Sequence, residues 1–242
     1  MLHFLRNTMK KILTYFNIGE YLLWLSSVLS IILSYIFFDG NPMTFIASIL
    51  GVTALIFCAK GNPIGQVLIV IFSLFYGYIS YTFSYYGEMI TYLGMSAPMA
   101  VWALISWLKN PYENGHAEVR VNTVTTKEYA FLGVLAVLVT AIFCPVLYYL
   151  NTNNLVFSTI SVTTSFIAVY LTARRSPYFA FAYALNDIAL IVLWTWASFT
   201  DSSYIGVVIC FVAFLANDLY SFTNWLKMQR RQATDNAENQ LS

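Results

Sequence analysis

Two Asn-Asp pairs sit where water should be scarce. Asn186-Asp187 interrupts the apolar run 182–196, and Asn217-Asp218 interrupts the run 207–225. An ionisable group at membrane depth costs about 2.5–3.5 kcal/mol on insertion scales and so marks a functional position. Of the 11 acidic residues, only Asp187 and Asp218 lie deep inside apolar runs, and no Lys or Arg shares either run with them. An unpaired carboxyl in such a place takes up a proton, meets water in a cavity, or receives a cationic ligand.

Helical spacing shows what shares a face with each acid. Tyr183 and Trp194 fall on the stripe of Asp187, whereas Trp196 points the other way and reads as a lipid-interface anchor. Further along, Asn217 aligns with Phe214 and Asn224, and Asp218 with Phe211 and Trp225. An earlier run carries Gln66, Ser73, Gly77, Ser80 and Ser84, with Tyr76 beside them, and the next lines up Tyr92, Met95, Met99, Trp102 and Ser106. Together these residues describe a cavity walled by aromatics, with amides and hydroxyls along it and carboxyls near its middle. A flat cationic heterocycle would stack there, gaining about 0.5–2 kcal/mol of cation–π attraction per ring. Amides would hold the hydroxyls of an attached ribose. The candidate substrate contacts are Gln66, Ser73, Tyr76, Tyr183, Asn186, Asp187, Trp194, Asn217, Asp218 and Asn224. Structural alternatives stand beside this reading. Small-residue stripes such as Ser73, Gly77, Ser80 and Ser84 also let helices approach closely. Tyr92, Met95 and Met99 have ordinary core as theirs, and Gln66, within a turn of the interface, has solvation.

The elements that must position these residues are membrane spans. The chain has 242 residues, 59% hydrophobic and only 10% charged, against about 25% charged in a soluble domain. Eight runs of spanning length can be marked: 20–38, 41–59, 63–85, 88–108, 126–150, 154–172, 177–199 and 204–226. The expected fold is an all-α polytopic membrane protein. The first run is too long for a cleavable leader, and another span follows at once. With eight spans all twelve Lys and Arg residues, Arg6, Lys10 and Lys11 among them, fall on one side, opposite Asp39, Glu88 and Asp201. The positive-inside rule then predicts both termini in the cytoplasm. A net charge of +1 gives no reason to expect a nucleic-acid partner. Cys58, Cys144 and Cys210 lack metal or disulfide spacing, and His3 and His116 stand alone in polar segments. Neither a metal nor a cofactor is expected.

A weak repeat adds organisation. Lys60-Gly61-Asn62-Pro63 resembles Arg174-Arg175-Ser176-Pro177, and Trp107-Leu108-Lys109 resembles Trp225-Leu226-Lys227, at separations of 114 and 118 residues. Two three-helix units separated by one helix share an orientation, a parallel repeat of the kind that places a transport site at the repeat interface. The arrangement is 1+3+1+3. It comprises a cytoplasmic segment 1–19, an extra helix 20–38, a first bundle 41–110, a loop and linking helix 111–153, a second bundle 154–228, and a tail 229–242. Gly61, Pro63, Gly87, Pro98 and Pro177 are hinge candidates, with span-end punctuation as their plainer role.

The segment Lys60-Gly61-Asn62-Pro63-Ile64-Gly65-Gln66 resembles the PnuC-type vitamin B3 (nicotinamide riboside) transporters. So do Tyr85-Tyr86-Gly87-Glu88-Met89-Ile90-Thr91-Tyr92-Leu93-Gly94-Met95 with Pro98, and Trp107-Leu108-Lys109-Asn110-Pro111-Tyr112. In the second half the likeness continues through Asn186-Asp187 with Leu193-Trp194, and Cys210-Phe211 with Asn217-Asp218-Leu219-Tyr220-Ser221-Phe222-Thr223-Asn224-Trp225. The resemblance implies a fold similar to the SWEET sugar transporters, with two triple-helix bundles joined by a linking helix. It implies uptake of nicotinamide riboside across a bacterial inner membrane by facilitated diffusion, with a cytoplasmic riboside kinase trapping the cargo. The first span is additional to that plan; covering the lipid face and making contacts within a homo-oligomer are its two open roles. Thiamine, another cationic heterocycle, satisfies the same physical reading, and one Asp could carry a proton in coupled transport. An intramembrane enzyme would need Asp-rich Mg²⁺ sites near an interface or a nucleophile with its base. The two acids lie 31 positions apart and both His residues fall outside the spans, so no enzyme is expected. A receptor or assembly subunit has no feature in its favour.

Overall fold

A computed structural model describes residues 15–38, 41–82, 89–112, 117–152 and 154–241. Arg6, Lys10, Lys11, His3, Asp39, Ser84, Gly87, Glu88 and His116 lie outside the described residues. The chain forms α1 (Ile18–Phe37), α2 (Pro42–Ala59), α3 (Pro63–Thr82), α4 (Thr91–Leu108), α5 (Thr126–Tyr149), α6 (Leu155–Ala173), α7 (Tyr178–Ser198) and α8 (Ile205–Leu241). All eight are long and apolar enough to cross a membrane, as the sequence predicts. Asn17 and Glu20 cap α1 reciprocally, Asn41 caps α2 with Pro42 in its first turn, and Thr125 caps α5. At about 1.5 Å per residue, the 37 residues of α8 overrun a hydrocarbon core of about 30 Å. Its last third runs on as a polar helix, where Gln232 bonds the backbone of Val119 and Val121.

Six helices close a ring. In the first bundle α3 packs on both α2 and α4, and in the second α7 packs on both α6 and α8. The bundles meet at two seams, α2 against α8 and α4 against α6. The linking helix α5 packs outside the ring on α6. The extra helix α1 packs outside it across the α2–α8 seam. This is the expected pair of triple-helix bundles with a linker and one further helix.

The repeat seen in the sequence recurs in the backbone. Gly61, after α2, has φ 64°, and Arg175, after α6, has φ 55°. Each closes its helix with a left-handed residue ahead of a proline. Gly61 has little room for a side chain, since a Cβ there would lie 2.8 Å from Met228 Cε. Gly61→Ala should therefore lower stability by about 1–2 kcal/mol, the cost of the left-handed conformation for an L-residue. Thermal unfolding of the purified variant checks this, and an unchanged midpoint counts against it.

The polar stripe on α3 divides between its two readings. Gly77 is a packing residue, because a Cβ there would stand 2.5 Å from Leu93 of α4. Ser73 instead lines the central space of the ring.

Candidate functional site

The ring encloses a cavity of about 200 Å³. Its second-bundle wall carries Tyr183, Asn186, Asp187 and Trp194 from α7 and Asp218 from α8. One helical stripe presents Tyr183, Asp187 and Trp194 together, as the spacing predicts. The first bundle contributes Gln66, Ser73 and Tyr76 from α3. Eight of the ten candidate contacts thus line one space.

The two carboxyls meet. Asp187 and Asp218 are each 3% exposed, and their side chains lie in hydrogen-bond contact. Asp187 Oδ2 has no partner among the described residues. No Lys, Arg or His occurs among the described residues lining the cavity. Two carboxyls this close repel each other when both are ionised. Buried charge of this kind needs a partner, and the described lining supplies no cation for it.

Aromatic rings form the opposite wall. Phe72, Tyr76 and Tyr92 touch in a three-ring cluster, with centroid separations of 5.6, 6.0 and 4.6 Å. Tyr92 thus lines the cavity, beyond the core role that the sequence offers it. It belongs to the π-helical segment Thr91–Ser96 that opens α4; π-helical turns often occur at functional sites. Gln66 is only 3% exposed and donates to Cys58 Sγ at 3.3 Å, so solvation does not describe it. Trp194 stands at the far rim against Tyr204, with ring centroids 5.2 Å apart.

Asn217 and Asn224 are not among the lining residues. Asn217 Nδ2 donates to Ser27 Oγ of α1 at 3.0 Å and to Ala213 O at 2.8 Å. Three helical steps leave Asn217 about 60° round α8 from Phe214, which does line the cavity, and that turn points it at α1. Asn224 lies about 9 Å along α8 beyond Asp218, below the cavity, and donates to Ala59 O at 2.8 Å.

That bond is one of four forming the cavity floor. Trp107 Nε1 donates to Thr172 O at 2.8 Å, and Trp225 Nε1 to Cys58 O at 2.9 Å. Ser106 Oγ donates to Ala173 O at 2.6 Å, as Asn224 does to Ala59 O. Thr172 and Ala173 follow Cys58 and Ala59 by 114 residues; Asn224 and Trp225 follow Ser106 and Trp107 by 118. Each bundle therefore donates to the same two carbonyls of the other. The indoles of Trp107 and Trp225, both fully buried, meet with centroids 5.3 Å apart. Phe179 lies over Trp225 at 4.9 Å. The ring is shut at the end where α2, α4 and α6 finish.

The model of the family described as "Nicotinamide mononucleotide transporter" matches residues 41–227. The chain belongs to the nicotinamide mononucleotide transporter family. The matched region begins at α2, so α1 lies outside it. Within the family description, the eight apolar helices make the chain a multi-pass membrane transporter. The nicotinamide riboside transporter PnuC of Neisseria mucosa is 26% identical over 203 residues, covering 81% of this chain and 77% of that protein. The crystal structure of the vitamin B3 transporter PnuC superposes with a TM-score of 0.77 at 22% identity, over 90% of this chain and 94% of that one. The fold is shared.

Some of the wall gave no signal in the sequence. Ser158, Ser161 and Ser165 of α6 line the cavity on one helical face. Their spacing was readable, but no acid in that run drew attention to it, and hydroxyls at such intervals also serve helix packing.

Proposed function

We propose that this transporter carries nicotinamide riboside by facilitated diffusion. The observation behind this reading is the carboxyl pair facing aromatic rings in a cavity whose described lining has no basic residue. Negative charge on the pair of Asp187 and Asp218 matches a pyridinium. The rings of Phe72, Tyr76 and Tyr92 offer stacking and cation–π attraction. A mononucleotide adds a phosphate, which the carboxyls would repel and no lining cation would hold. Hence the riboside fits better than its phosphorylated form. Carriage follows from rocking of the two bundles about the site, with the tryptophan floor opening in turn. The positive-inside rule supports a cytoplasmic floor end, where the basic residues gather, with both termini inside at the inner membrane of a bacterium. Phosphorylation by a cytoplasmic kinase then creates the form that the cavity rejects, which prevents return.

Isothermal titration of the purified protein with nicotinamide riboside, its 5′-phosphate and thiamine tests this reading. Preference for the unphosphorylated riboside is the expected result. Tighter binding of the phosphate or of thiamine would overturn the cargo assignment. Trp194→Ala should weaken riboside binding by about 1 kcal/mol, the low end for base–aromatic stacking, because Trp194 is held at the rim against Tyr204. An unchanged dissociation constant would remove it from the path.

The hydrogen-bonded carboxyls favour one other reading, coupling to a proton. Counterflow in proteoliposomes with and without a pH gradient separates the two. Accumulation of riboside driven by the gradient would defeat facilitated diffusion.

A further inference from the structure

Asn186 is 7% exposed, and its amide is tied at one end only. Ser161 Oγ donates to Asn186 Oδ1 at 2.9 Å, and Thr164 Oγ1 approaches the same oxygen at 3.0 Å. Both hydroxyls come from α6. Thr164 Oγ1 also lies 2.8 Å from Ile160 O. Ser161 therefore supplies the undivided proton, while Thr164 is steadied on its own helix beside the amide. The other end of the amide, Nδ2, has no acceptor among the described residues, and Asn186 lines the cavity. Next to it stands Asp187, whose Oδ2 is also unpartnered. One point on the wall thus offers an N–H donor beside a carboxyl acceptor.

An Asn amide that turns half a revolution exchanges its donor for its acceptor. A free Asn would show the cavity either face and could not distinguish an amide from an acid. A hydroxyl can accept as well as donate, so the bias comes from the Ser161 proton: it has no other acceptor among the described residues, and the half-turn would strand it.

We propose that Ser161 and Thr164 are positioning residues that lock the Asn186 amide with its nitrogen towards the cavity, so that Asn186 and Asp187 jointly recognise a primary carboxamide. Asn186 Nδ2 donates to the carboxamide oxygen, and the Asp187 carboxyl accepts from the carboxamide nitrogen. A carboxylate in that place brings a like charge to Asp187 and no N–H to give it. The inference rests on the riboside reading for the body of the cargo, but the group recognised is the amide alone.

The test uses the full-length purified protein and two ligand pairs: nicotinamide riboside against nicotinic acid riboside, and free nicotinamide against nicotinate. Wild type is expected to prefer the amide member. Ser161→Ala with Thr164→Val should weaken amide binding about tenfold and shrink the amide-to-acid ratio, with binding of the acid member little changed. Ser161→Thr and Thr164→Ser, which keep the hydroxyls, should restore the wild-type ratio. If the double variant does not fold, the two single replacements are read in the same way. An amide-to-acid ratio that survives loss of both hydroxyls in a folded protein overturns the proposal. So does a wild type without amide preference in either pair. Amide preference for the free ring alone, with no riboside binding, sinks the cargo reading and leaves the positioning role standing.

Discussion

Asp187→Asn is expected to weaken binding of the proposed cargo, nicotinamide riboside, by about ten- to a hundredfold, while the amount of folded protein stays near wild type. A hydrogen bond or close contact to a charged group contributes about 1.5–3 kcal/mol, and that range sets the size of the effect. The substitution keeps the side chain's shape and replaces one carboxyl oxygen of a cavity-lining residue with an N–H group. Folding should tolerate it, because a buried carboxyl without a cationic mate costs stability rather than adding to it. Asp218 remains, so the single change does not empty the cavity of negative charge. The double change Asp187→Asn with Asp218→Asn should cost more than either alone, and the two effects should not add, because the carboxyls act as a hydrogen-bonded pair. Titration calorimetry gives the dissociation constants, and thermal unfolding gives the stability. Riboside binding as tight as wild type in the double variant would exclude the carboxyls from cargo recognition.

Replacing both floor tryptophans with phenylalanine, Trp107→Phe with Trp225→Phe, should open the closed end. Each loses an indole N–H that bonds a carbonyl of the other bundle, at about 1 kcal/mol net per bond. Two such losses shift the balance between closed and open by about 2 kcal/mol, roughly thirtyfold. Cys58 reports the change. It is 3% exposed, its own carbonyl receives Trp225, and its thiol lines the cavity just above the floor. In a background with Cys144→Ser and Cys210→Ser, alkylation of Cys58 from the floor side should accelerate at least tenfold. If labelling keeps its wild-type rate while the unfolding temperature falls, the tryptophans merely anchor the fold.

The sequence made the eight helices legible because hydrophobic length is a strong signal and because Gly and Pro, as at Gly61 and Pro63, punctuate span ends. The stripe of Tyr183, Asp187 and Trp194 was legible for a similar reason: helical spacing within one span is local. What lay between spans was not. Nothing in the run around Asn217 says that an extra helix docks on that face, so alignment with Phe214 suggested a shared wall where the structure shows a bond to Ser27. Asn224 looked like a cavity amide until its depth along α8 placed it in the floor. Its repeat partner, Ser106, makes the same bond from the other bundle. That equivalence was present in the Trp-Leu-Lys echo, but the two differ in side chain and match only in what they bond. The contact of Asp187 with Asp218 was also hidden, since 31 residues separate them in the chain and only the packing of α7 on α8 brings them together.

Helix α1 gives the two seams unequal strength. Glu20 accepts Lys60 Nζ at 3.0 Å from the end of α2 and Tyr220 Oη at 2.7 Å from α8. Higher up, Trp24 donates to Thr53 of α2 at 3.1 Å, and Ser27 receives Asn217 of α8. Among the described residues the α4–α6 seam has no polar brace from an outside helix; above its floor bonds it joins through apolar packing of Met95 and Met99 with Val162, Phe166 and Leu147 of α5, and through Trp102 against Tyr170 at 5.7 Å. The molecule is bound like a book, with α1 glued along the spine. If the bundles rock as proposed, the α4–α6 side should part first, away from α1. Truncation before residue 41 would loosen the binding and turn a one-sided swing into a two-sided one.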